Sequence, residues 1–234
     1  MAELDGARTR VLERLARYLA AVKRSHPVRV AIDGRTAAGK TTLADELVAP
    51  LDSLGRSVIR VEIDDFHRPR AERHGRHELP PWMRYYLDSY DYPAIRAALL
   101  LPLGPDGDRR YRRALFDSYH DVPIEEPPQL APADAVVLID GVFLCRPELD
   151  DLWDVRIFVA IDAAESLRRG PPRDQPWVGS VAVAAERYGT TYIPAEDHYL
   201  ALVRPCERAD VVIDNQEPVA PRLCFRHEPG SESE

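Results

Sequence analysis

Cysteine is scarce in this chain. Cys145, Cys206 and Cys224 lie far apart among 234 residues, a spacing that gives neither a zinc pattern nor a disulfide framework. A reducing compartment, the cytoplasm, is the simplest setting for such usage. Positive charge is also short: 31 Lys and Arg stand against 39 Asp and Glu, for a net charge of -8. That balance argues against nucleic acid as the main partner. A nucleotide is not excluded, because a local site can hold one. No run of 18 apolar residues exists, so no membrane partner is expected. The opening Met1-Ala-Glu-Leu-Asp5 lacks the basic-then-apolar layout of a signal peptide. No internal repeat is visible.

What is present suits a single α/β domain with a lid. Residues 7–24 read as a helix, because Val11, Leu12, Leu15, Tyr18, Leu19 and Val22 recur at helical spacing. Apolar runs at 28–32, 57–63, 135–139, 155–161 and 210–213 read as five strands, with helices between them at 40–49, 94–101, 163–169, 179–188 and 197–203. Gly170-Pro171-Pro172 is expected to break the helical stretch around it. Residues 67–90 read as an irregular excursion, and 110–117 as one arm of a hairpin. From 216 to 234 Pro, Glu and Ser dominate, which predicts a disordered tail. Alternating strands and helices predict a five-stranded, mainly parallel sheet covered on both faces. Ligands of such sheets gather beyond the carboxyl ends of the strands.

The strongest motif is Gly34-Arg35-Thr36-Ala37-Ala38-Gly39-Lys40-Thr41, followed by Thr42. It spells G-x-x-x-x-G-K-[ST], the phosphate-binding loop. Gly34 and Gly39 permit backbone angles that residues with a Cβ avoid, so successive N–H groups can turn inward onto phosphate oxygens. A helix starting near Lys40 adds its positive end. Lys40 then reaches the outer phosphates, and the Thr41 hydroxyl ligates Mg²⁺. The expected cofactors are ATP or GTP with Mg²⁺.

All five strand runs finish in Asp: Asp33, Asp64, Asp140, Asp162 and Asp214. Asp after a strand is also an ordinary turn or helix-cap choice. Asp140, after Val136-Val-Leu-Ile139, has the layout of a carboxylate that binds Mg²⁺ directly or through water. Asp64 and Asp65 are both candidates to orient an attacking hydroxyl and accept its proton. In an extended strand the two face opposite ways, so one alone enters the cleft. His67, His74 and His77 match no compact zinc pattern. Trp82, Tyr85 and Tyr86 suit either closure over a substrate or packing of their loop.

These stretches resemble the uridine kinase group of P-loop kinases, close also to phosphoribulokinase and bacterial pantothenate kinase. The resemblance rests on residues 34–41, Asp64-Asp-Phe-His-Arg68, Tyr90-Asp-Tyr-Pro93, Asp140-Gly-Val-Phe143, Arg169 to Asp174 and Ala209-Asp-Val-Val-Ile213, and spans residues 27–215. It implies a P-loop fold with a small lid at about 163–190 and an acceptor-binding excursion at about 67–121. It also implies transfer of the γ-phosphate to a primary hydroxyl, above all the 5′-hydroxyl of a pyrimidine nucleoside. By that resemblance Asp64 is the catalytic carboxylate and also approaches the metal. Asp91 grips the ribose diol, Tyr90 and His67 surround the nucleoside, and Phe116 and His120 meet the base. Arg169 and Arg173 are lid arginines that contact phosphate, Arg169 on the acceptor side as well.

The chain departs from the group in places. Its metal carboxylate is Asp140 where the group usually has Glu, so contact through water is expected. Pro171 and Pro172 separate the lid arginines. Acceptors other than a nucleoside fit the same chemistry: pantothenate, a sugar phosphate or a specialised metabolite. A nucleotide-binding switch without transfer is a further alternative, though the N-K-x-D stretch of guanine-reading switches is missing. A homo-oligomer is compatible with all of these.

Overall fold

The computed structural model describes residues 2–226. In chain order the elements are α1 (Ala2–Ala21), β1 (Val28–Gly34), α2 (Lys40–Glu46), α3 (Val48–Ser53), β2 (Val58–Glu62), α4 (Arg70–Arg73), α5 (Pro81–Asp88) and α6 (Tyr92–Ile95). There follow β3 (Arg110–Tyr111), β4 (Phe116–Asp117), β5 (Val122–Pro123), β6 (Gln129–Leu130), β7 (Val136–Asp140), β8 (Val155–Ala160), α7 (Ala163–Val178) and α8 (Val181–Arg187). Last come α9 (Ile193–Val203), α10 (Pro205–Arg208), β9 (Val211–Asp214) and β10 (Arg222–Phe225).

The central sheet has six strands in the order β10-β9-β8-β1-β7-β2, not the expected five. Five run parallel, and β10 pairs antiparallel with β9 at the edge. This sixth strand lies in the stretch read as a disordered tail. Its sequence alternates, and Leu223 and Phe225 pack against the core while Arg222 and Cys224 are exposed. Residues 227–234 of that expected tail lie outside the described residues.

Strand alternation divides the interior in two. Val28, Val30 and Ile32 of β1, with Val136 and Leu138 of β7, face Leu15 and Leu19 of α1, Leu43 of α2 and Leu51 of α3. Ala31 of β1, with Val137 and Ile139 of β7, faces Tyr86 of α5, Ile95 of α6 and Tyr199 of α9. Every residue of β1 and β7 is buried. That two-sided cover is why β7 reads as an unbroken apolar run up to Asp140, and β1 as one interrupted only by Arg29 before Asp33. No described helix is long and apolar enough to cross a membrane.

Several boundaries differ from the sequence expectation. Helix α1 is displaced toward the N-terminus relative to 7–24. It starts at Ala2, where strong helix formers stand, and ends at Ala21, before Pro27 bars helical angles at His26. The excursion after residue 67 is not irregular throughout: Pro81 starts α5 as an N-terminal helix proline, where its missing N–H has no cost. The expected hairpin arm is two short pieces, β3 paired with β6 and β4 with β5.

The largest difference is α7. It passes through Pro171, Pro172 and Pro176 without stopping. Each proline removes a ladder hydrogen bond, yet the helix is held from outside. Asp162 caps its start by accepting from the Glu165 N–H at 2.7 Å. Gly170 lets α7 meet the Tyr188 ring closely, since a Cβ there would lie 1.9 Å from Tyr188 Cζ.

Gly170→Ala should therefore cost about 1–3 kcal/mol by overpacking and lower the melting temperature by roughly 3–10 °C. Gly189→Ala, with nothing within 4 Å of its added methyl, should leave it unchanged or raise it. Equal losses in thermal melts of the two variants would refute the packing account.

Candidate active site

The carboxyl ends of β1, β2 and β7 lie side by side, with Ile32 and Glu62 both registered against Asp140. Beyond them opens a cavity of about 890 Å³. The 34–41 loop forms one wall. Gly34 is at φ 149° and Gly39 at φ 91°, and Ala37 also adopts a left-handed φ of 62°. A Cβ on Gly34 would stand 2.3 Å from the Val159 carbonyl oxygen, so only glycine fits. Thr36, Ala37, Lys40 and Thr41 line the cavity. Gly34, Arg35, Ala38, Gly39 and Thr42 shape or flank the loop without lining it.

Side chains from three directions clamp this loop. Glu196 of α9 accepts from the Thr36 N–H at 2.6 Å, Ser166 of α7 donates to the Thr36 carbonyl at 2.8 Å, and Asn215 donates to the Ala38 carbonyl at 2.7 Å. Arg35 turns outward to Glu196 and Asp197. Lys40 is buried and donates to the Arg35 carbonyl at 2.7 Å. Burial pulls the pKa of its ammonium down, while Glu196, Asp33 and Asp140 act to keep it charged. Burial likewise raises the Asp33 carboxyl, which accepts from Tyr199 and from the Gly34 N–H.

Thr41 donates its hydroxyl to Asp140 Oδ2 at 2.6 Å, and Arg60 holds Asp140 Oδ1 at 2.8 Å. Glu62 and Asp64 line the same wall. Burial raises the Glu62 carboxyl, helped by the charges of Asp140, Asp64 and Asp65. Hard oxygen donors beside a nucleotide loop fit Mg²⁺, which keeps several waters and takes few protein ligands. One Asp140 oxygen is committed to Arg60, which leaves Oδ2 and Thr41 Oγ1 as the fitting pair.

Asp64 and Asp65 do not sit on an extended strand. β2 ends at Glu62, and Ile63–Phe66 is a single 3-10 turn. Only Asp64 lines the cavity. Its side chain is 63% exposed, and it accepts from the Tyr90 hydroxyl at 2.8 Å. His67 donates from Nδ1 to the Asp64 carbonyl at 2.8 Å and packs 4.5 Å from the Tyr90 ring. Asp65 turns away, and burial with the neighbouring Asp64 charge raises its carboxyl to about 6.

Three expected acceptor-binding residues are elsewhere. Asp91 caps α6 by accepting from the Ala94 N–H at 3.0 Å, because Pro93 follows it at the helix start. Phe116 of β4 is buried, and the exposed His120 is hydrogen-bonded to Asp117 at 2.6 Å. None of the three lines the cavity. Their neighbours Ser118 and Tyr119 do, and Tyr119 meets Trp177 of α7 edge-on at 5.9 Å, linking hairpin to lid. Tyr85 also lines the cavity, while Trp82 and Tyr86 pack onto His198 and Phe143. Arg70, Arg73, His74 and Arg187 line it as well. Sequence reading missed these arginines, since they lie in stretches without a motif.

The lid arginines part company. Arg173 lines the cavity, paired with Asp174 at 2.7 Å. Arg169 does not line it. Its guanidinium binds Glu165 and the carbonyls of Asn215 and Gln216 at 2.9 and 2.8 Å. Residues four apart on a continuous helix share a face, so the two differ by their partners: Glu165 and the Asn215 and Gln216 carbonyls hold Arg169, and Asp174 pairs with Arg173.

Arg168 and then Arg169 hold the Glu165 carboxyl at about 2, well below the usual range. A depressed carboxylate contributes stability above its unfolded pKa and loses it as pH falls through the folded one. Glu165→Gln should thus cost about 1 kcal/mol at pH 7, after allowing for the solvent around Arg168. The difference should shrink between pH 4.5 and 2. Urea melts of both proteins across that range check it, and a pH-independent difference would count against the ion pair.

The chain is similar to named proteins in sequence. It is 28% identical over 190 residues to uridine-cytidine kinase B of Dictyostelium discoideum, covering 80% of this chain and 74% of that protein. It is also 28% identical over 186 residues to a uridine kinase of Leuconostoc citreum, covering 76% and 79%. In structure it matches a possible uridine kinase from Bacillus stearothermophilus with a TM-score of 0.69 and 25% identity, over 87% of this chain and 97% of that one. No family model matches. Motifs, overall sequence and overall fold together make this chain similar to the uridine kinase group of P-loop kinases.

Proposed function

We propose that this protein is a kinase that transfers the γ-phosphate of ATP, or GTP, to a primary hydroxyl of a small molecule. One observation carries this reading: a Tyr90-held carboxylate, Asp64, shares a cavity with Lys40, Thr41 and Asp140. A pure nucleotide switch has no use for a carboxylate so held.

Lys40 and the loop N–H groups bind the phosphates. Thr41 and Asp140 would hold Mg²⁺, which would neutralise charge on the phosphate oxygens. Asp64 orients the acceptor hydroxyl and takes its proton as the oxygen attacks phosphorus and the diphosphate departs. Tyr90 fixes the rotamer of Asp64 through its hydroxyl. Arg173 supplies positive charge from the lid to the transferring group. Arg169 acts at the root of α7 rather than on phosphate. Most of the acceleration in such a site comes from positioning and electrostatics.

The names of the similar proteins, together with Tyr90 and His67 beside Asp64, favour a pyrimidine nucleoside as acceptor. Asp91, Phe116 and His120 lend it no support, because each has another task in this fold. The arginines of the excursion favour a second reading, in which the acceptor is charged.

Lys40→Ala and Asp64→Asn should each lower ADP release by about 100-fold to 10,000-fold with Mg-ATP and a competent acceptor. Asp64→Asn should retain nucleotide affinity. A coupled assay across nucleosides, pantothenate and sugar phosphates measures this, and full activity in Asp64→Asn would remove the proton-accepting role.

A further inference from the structure

The cavity has two charge environments. Around Lys40 the acting groups are Glu196, Asp33, Asp140 and Arg173. Around His74 they are Arg73, Arg84, Arg70 and Arg187, and these positive neighbours join burial in pushing its imidazole pKa down. Arg70, Arg73, His74 and Arg187 all line the cavity, the first three on and after α4 and the last at the end of α8.

Their charge is poorly quenched. Among the described residues Arg70, Arg84 and Arg187 have no ion pair, and Arg73 meets Asp121 only at 3.6 Å. The Arg73 Nε is buried without a hydrogen-bond partner. Carboxylates are in surplus in a chain of net charge -8, so the arginines are not unpaired for want of acids. Elsewhere the fold pairs its guanidinium groups closely, as in Arg29 with Asp154 at 2.9 Å and Arg60 with Asp140 at 2.8 Å.

A neutral acceptor offers these guanidinium groups only uncharged oxygens, which are weaker partners than an oxyanion. An oxyanion pairs with the guanidinium fork through charge-assisted hydrogen bonds. Asp91, Phe116 and His120, three of the residues expected to grip a neutral nucleoside, do not line the cavity.

We propose that the acceptor carries, besides its reactive hydroxyl, an anionic oxyacid group (a phosphate ester or a carboxylate) held by Arg70, Arg73 and Arg187. This rests on the kinase reading for the transfer, but not for the binding.

Calorimetry on the full chain with Mg²⁺ and a non-hydrolysable ATP analogue tests it with three probes: D-ribose 5-phosphate, D-glycerate and uridine. One anionic probe should bind at least about tenfold more tightly than uridine, and which one distinguishes phosphate from carboxylate. Arg70→Gln with Arg73→Gln should weaken that probe by about 10-fold to 100-fold, with affinity for the nucleotide analogue unchanged. Should that pair fail to fold, Arg187→Gln on the separate α8 gives the same reading. Uridine binding as tightly as the anionic probes, no binding by either anionic probe, or wild-type affinity in the folded variants would overturn the proposal. ADP release with Mg-ATP is read in parallel. Anion binding without ADP release would sink the kinase reading alone, and ADP release with uridine alone would sink the anion subsite alone.

Discussion

Lys40 is a cation with only 8% of its surface exposed, and much of the molecule is arranged to make that tolerable. A buried ammonium without partners loses its charge or destabilises the fold. Three carboxylates from three elements answer it: Asp33 at the end of β1, Asp140 at the end of β7 and Glu196 on α9. Each is itself buried and needs its own donors, which Tyr199, Arg60, Thr41 and the Thr36 N–H provide. The pairing of β1 with β7 and the position of α9 across the loop bring these carboxylates to Lys40. A change at any one of these groups leaves another charge unpaired in a poorly solvated place.

The lid shows how external contacts override local propensity. α7 carries three prolines in its interior, and its own ladder is weakened accordingly. Arg169 on the Asn215 and Gln216 carbonyls, Ser166 on the Thr36 carbonyl and the Gly170–Tyr188 contact hold it instead. Its two halves serve different ends. The first is rooted on the sheet by Arg169, and the second brings Arg173 and Trp177 to the cavity.

The loop and the strand-end aspartates were legible in the sequence because both depend on local chemistry. The five aspartates share a pattern but not a task. Asp33 is buried in a network, Asp64 and Asp140 enter the cavity, Asp162 caps α7, and Asp214 accepts from the Gln216 N–H. Only three-dimensional context separates these uses. Asp91 carries a second signal besides the resemblance: Asp followed by Pro two residues later is a helix start, and Asp91 caps α6. The sixth strand was hidden because Arg222–Phe225 is short and lies among Pro, Glu and Ser. Burial of its alternate residues comes from α1, as in the Tyr18–Phe225 ring contact at 5.0 Å, and no local rule predicts that. The arginines at 70, 73 and 187 left no trace, since an exposed arginine in sequence looks the same whether it meets water or a ligand.

Asn215 is a small residue with three attachments. Its N–H donates to the Ala160 carbonyl of β8, its side-chain amide holds the Ala38 carbonyl, and its own carbonyl receives Arg169. Sheet, phosphate loop and lid root therefore share one footing, like three beams pinned at a single joint. The loop cannot shift at Ala38 without straining the pin that anchors α7. Any movement of the loop or of α7 would load the same few atoms.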